Sequence, residues 1–119
     1  MHNLKGIKVW IKAIELSTLV YGAVANFPNE EKYGLSSQIK RSVVSIASNI
    51  AEGAGRNSKN EFIYFLGIAR GSSYELQTQI LIAQNLKLIR DMDAEKLCSH
   101  IEEIQKMIFG FMVKLKKEN

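Results

Sequence analysis

Between Phe62 and Leu86 the chain carries only two charges, Arg70 and Glu75, and its apolar residues recur at helical spacing. Phe62, Phe65, Leu66, Ala69, Leu76, Ile80 and Ala83 share one face of a helix expected over about Lys59 to Asn85. Ile63, Tyr64, Ile68, Tyr74, Leu81 and Ile82 make its other sides apolar or aromatic as well. A helix that is apolar nearly all round is buried on more than one side. Every helix of a lone four-helix bundle keeps an outer face, so these six residues are the candidate contact with another subunit.

The rest of the chain reads the same way. A first helix is expected from about Ile7 to Asn26, with Trp10, Ala13, Ile14, Ser17, Val20, Tyr21 and Val24 as its apolar face. It should stop at Phe27-Pro28, because the residue before a proline avoids helical geometry. A charged connector, Asn29 to Gly34, leads to a second helix over Leu35 to Ala54. Its core face is Leu35, Ile39, Val43, Ile46, Ile50 and Ala54, and Gly53 and Gly55 supply a flexible stop. Ser58 and Glu61 match a capping box ahead of the third helix. A fourth begins near an N-cap at Asp93 and runs through Leu97, Ile101, Ile104, Ile108, Phe111 and Leu115. No strand pattern appears. Short connectors between long helices imply an antiparallel, up-down-up-down, all-α four-helix bundle, a single domain over 1–119.

Composition narrows the class. At 119 residues a core forms without disulfides, and the single cysteine, Cys98, cannot make an internal bridge. No apolar run approaches the roughly 18 residues of a membrane span, and the opening stretch has no signal-like apolar segment. The expectation is a reduced, cytoplasmic protein without a membrane partner. Net charge is +4, and the surplus lies wholly in the first half: residues 1–60 carry eight Lys and Arg against four acidic residues, whereas 61–119 carry eight of each. A basic excess permits polyanion binding.

A polar stripe is the feature of the second helix closest to chemistry. Gln38, Arg41, Ser45, Asn49, Glu52 and Arg56 fall within about 80° of one another. Two readings stay open: a cationic groove in which Arg41 and Arg56 meet phosphates, or a network between helices or subunits in which Glu52 pairs with Arg56 at i,i+4. Lys40, Arg41, Arg56, Lys59 and Arg70 are the candidate nucleic-acid contacts. Aromatic interleaving for stacking on unpaired bases looks poor, with Phe62 and Phe65 at core positions. Gly53 to Ser58 lacks the strand and the third glycine of a dinucleotide loop, and reads as a turn. Gly71-Ser72-Ser73 suggests close helix approach. The only histidines are His2 and His100, and neither has a nucleophile arranged beside it. No catalytic residue, metal site or cofactor is expected, and Cys98 reads as a small packed hydrophobe.

Val9-Trp10, the run Phe27 to Arg41, Ser45-Ile-Ala-Ser-Asn-Ile-Ala-Glu-Gly-Ala-Gly-Arg56 and Ala69 to Leu76 together are distinctive. They resemble the bacterial four-helix-bundle family named for the 23S ribosomal RNA intervening sequence, often labelled ribosomal. The resemblance covers Leu4 to the mid-eighties and extends to the last helix by pattern. It implies a homopentameric barrel and a non-catalytic role. It also implies RNA or DNA binding, or a protein partner such as a reverse transcriptase in a diversity-generating retroelement. On that pattern Lys40, Arg41, Arg56 and Arg70 are the positions to test.

Overall fold

Each periodic stretch folds as a helix in the computed structural model, which describes residues 3–118. After a short 3-10 turn at Leu4–Gly6 come α1 (Lys8–Val24), a second 3-10 turn (Asn29–Glu31), α2 (Leu35–Ala54), α3 (Lys59–Asn85) and α4 (Asp91–Lys117). No strand occurs among the described residues. A 27-residue helix is about 40 Å long, and the whole molecule measures 49 × 23 × 20 Å. Connectors of ten, four and five residues are short against that length, so the helices must double back, and they run up, down, up and down. Helix α1 packs on α2 and α4, and α3 packs on the same two, so α1 and α3 stand at opposite corners.

The core is aliphatic and closed. Leu16, Ile39, Ile46, Ile50, Leu66, Leu76, Ile80, Ile101, Ile104 and Ile108 are all buried, with Phe62 beneath the α2–α3 turn and its ring 5.2 Å from that of Phe111, edge to face. Two serines of α3 enter this interior with partners: Ser73 Oγ donates to the Arg70 carbonyl oxygen at 2.5 Å, and the Ser72 and Ser45 hydroxyls meet at 2.9 Å across α2 and α3.

Several local expectations are corrected. On α1 the buried residues are Val9, Ala13, Leu16, Val20 and Val24, while Ile14 and Tyr21 are 42% and 44% exposed. Two apolar stripes run along this helix about 100° apart, and α2 and α4 cover the one without Ile14. Phe65 is half-buried at the edge of the core, under Arg56. Helix α4 starts two residues early, at Asp91, with Arg90 extended at the cap position, so Asp93 sits in the first turn and accepts from Arg90 Nε at 3.0 Å. Its carboxylate there favours the positive end of the helix dipole.

Gly53 is not a flexible stop. It lies inside α2 where α3 crosses, and a Cβ there would sit 2.8 Å from Phe62 Cδ1 and 2.9 Å from Phe65 Cβ. Gly55, the C-cap, keeps ordinary right-handed geometry. Conversely, Gly71 has open space around its Cα, so close approach comes from Ser72 and Ser73 instead. The Ser58 cap forms, its Oγ accepting from Glu61 N at 3.0 Å.

Candidate nucleic-acid interface

The connector between α1 and α2 builds a concavity on the basic half of the chain. Pro28, extended, opens the 3-10 turn Asn29–Glu31, and the Glu31 carboxylate accepts from Leu35 N at 3.5 Å, covering a free amide at the start of α2. Lys32 and Tyr33 follow directly and stand over the first turns of α2. A groove of about 550 Å³ results, lined by Tyr21 from α1, by Lys32 and Tyr33, and by Ser37, Lys40, Arg41, Val44 and Ser45 from α2. The Lys40 ammonium lies 5.1 Å from the centre of the Tyr21 ring, and that of Lys32 lies 5.6 Å from the centre of Tyr33. No carboxylate lines the groove. The four ion pairs among the described residues involve none of its cations.

The other candidate cations stand elsewhere. Arg41 and Arg56 are about 22 Å apart along α2. Arg56 is neutralised locally: its Nη2 is 3.0 Å from Glu52 Oε2, its Nη1 is 3.5 Å from Glu61 Oε2, and its guanidinium covers the Phe65 ring at 4.9 Å. Lys59 donates to the backbone carbonyl of Glu118, tying the start of α3 to the end of α4. Arg70 faces α4, with its guanidinium 4.8 Å from the Phe109 ring and 5.6 Å from Tyr74, and its buried Nε has no partner. The five cations thus occupy four separate places, and only Lys40 and Arg41 share one.

The polar stripe divides in the same manner. Asn49 Nδ2 donates to the Ser45 carbonyl at 2.8 Å and to its hydroxyl at 2.9 Å, and Ser45 reaches Ser72 on α3. Glu52 is held by Arg56. This end is a network between helices. Gln38 and Arg41, at the other end, are exposed.

Sequence reasoning missed Lys32, Tyr33 and Tyr21. Tyr33 is 89% exposed. Its signal was an aromatic in a connector with no core position to fill. Tyr21 was assigned to the core, so its place beside Lys40 was not visible from spacing.

Of the six candidate interface residues, Ile63 is half-buried against the core. Tyr64, Ile68, Tyr74, Leu81 and Ile82 are exposed, and Ile11, Ile14 and Leu19 make the outer face of α1 equally apolar. Cys98 is half-buried, and burial, aided by the Glu102 carboxylate, pushes its thiol up, away from a reactive thiolate. Among the described residues no three His, Cys, Asp or Glu side chains converge as metal ligands, and no helix is long and apolar enough to cross a membrane. His2 lies outside the described residues.

Comparison with known proteins places these features in a family. The family model described as 23S rRNA-intervening sequence protein matches residues 5–110. A solved structure from Bacteroides thetaiotaomicron VPI-5482, a protein with unknown function from the S23 ribosomal protein family, superposes with a TM-score of 0.79. The two are 25% identical, over 87% of this chain and 97% of that one. No curated protein matches the chain.

Proposed function

The chain belongs to the 23S rRNA-intervening sequence protein family, and from that premise we propose that it is a non-enzymatic, homo-oligomeric accessory protein of the cytoplasm that binds nucleic acid. The observation that carries this reading is the α1–α2 groove, where Lys32, Lys40 and Arg41 stand together without a carboxylate partner. Cations paired within the fold contribute little to phosphate binding, whereas unpaired ones release counterions when phosphates arrive. Symmetry multiplies the effect. Five copies of a +4 chain, the pentamer implied by the resemblance, carry about +20, enough to steer a polyanion even when one groove binds weakly.

The test is binding of labelled RNA and DNA to the purified protein across a salt series, with assembly mass followed in parallel. Affinity should fall steeply as salt rises. The double change Lys40→Glu, Arg41→Glu should abolish binding without loss of helicity. Retained affinity with an unchanged salt slope would place the contacts elsewhere.

A second reading is favoured by the exposed apolar residues of α3, Tyr64 at 64% exposure above all. Here the assembly is a scaffold for a protein partner, such as a reverse transcriptase, with incidental nucleic-acid contact. An apolar protein interface responds weakly to salt, so the same series separates the two.

A further inference from the structure

We propose that the α1–α2 groove takes an unpaired stretch of nucleic acid, with one base stacked on the Tyr33 ring and the neighbouring phosphates held by Lys32, Lys40 and Arg41. This rests on the nucleic-acid reading above and names the strand state and the contacts.

Tyr33 carries the argument. Its ring is 89% exposed, with only the Lys32 ammonium, at 5.6 Å, drawn over it. The connector beneath is held by the Pro28 turn and by the Glu31 carboxylate on Leu35 N, so the ring is presented from a braced segment. A stacking tyrosine finds a free base face only where bases are unpaired, since a duplex keeps those faces against one another. Around the ring the chemistry suits phosphate. Lys40 is anchored over Tyr21 at 5.1 Å, Arg41 is exposed beside it, and Glu31 is turned to the helix start. At about 550 Å³ the groove is within the size range of sites that hold a small ligand such as a nucleotide. Tyr21 and Tyr33 thus set aromatic rings among the cations of this groove.

The experiment measures fluorescence anisotropy with three probes at fixed salt: a labelled oligouridylate, an abasic oligomer of the same length, and an RNA duplex. The full chain is compared with Tyr33→Ala, Tyr33→Phe and Arg41→Glu, all at exposed positions and each checked for helicity. The unchanged protein should prefer the oligouridylate over the abasic strand by about tenfold. Tyr33→Ala should erase that preference while leaving abasic binding intact, Tyr33→Phe should keep it, and Arg41→Glu should weaken all three probes. Tyr33→Ala retaining the preference, or the duplex binding as tightly as the single strand, would overturn the stacking site alone. Failure of the unchanged protein to bind any probe at low salt would overturn the nucleic-acid reading, and this site with it.

Discussion

Lys87 has a φ of 61°, in the left-handed region that glycine enters at little cost. The reason is the end of α3. Leu88 N donates to the Ala83 carbonyl at 2.9 Å and Lys87 N to that of Gln84 at 3.0 Å, the paired bonds of a Schellman closure. That motif needs a left-handed residue after the C-cap, and here a lysine fills it. A side chain in this geometry costs about 1 kcal/mol. Replacing it should therefore help: Lys87→Gly is expected to raise stability by roughly 0.5–1 kcal/mol, read as a higher urea midpoint at unchanged slope. The position is unreadable from the residue, because lysine signals nothing about φ, and only the backbone bonds reveal it.

The two glycines Gly53 and Gly71 show how one residue type serves opposite ends within neighbouring helices. Gly53→Ala would push a methyl into Phe62 and Phe65, where the Phe62 carbonyl oxygen also stands 3.2 Å from the new carbon. A backbone atom cannot swing aside, so α2 and α3 must separate, at about 1–3 kcal/mol. Gly71→Ala meets nothing within 4 Å and should stabilise the folded chain by about 1 kcal/mol through helix propensity. Urea titration of both variants should move the midpoints in opposite directions; a shared direction would contradict the packing of α2 on α3. At this scale the bounds of α2 and α3 were readable, because a capping serine and charged connectors mark them locally. The face of α1 was not, since two apolar stripes satisfy the same periodicity and only the neighbours choose between them. The same limit hid part of the candidate site. Lys40 and Arg41 announce themselves on α2, whereas Tyr21 and Tyr33 join them only when α1, the connector and α2 fold together.

The single chain leaves apolar residues exposed at two opposite corners. Ile11, Ile14 and Leu19 face outward on α1, and Tyr74, Leu81 and Ile82 on α3. Because α1 and α3 stand diagonally across the bundle, these patches point away from each other. The proposed ring of five needs that arrangement: an odd cyclic assembly joins two different surfaces head to tail, while one self-complementary patch stops at a dimer. Ile14→Glu alone and the pair Tyr74→Glu, Leu81→Glu should therefore each yield monomers of unchanged helicity, since all three positions are exposed. Mixing the two is the decisive step. The α1 variant still has an intact α3 face and the α3 variant an intact α1 face, so together they can form one sound contact and no second. Light scattering of the mixture should report a one-to-one dimer that does not grow with concentration. If the α1 variant instead dimerises by itself, the contact is α3 against α3, and a two-fold pair replaces the ring.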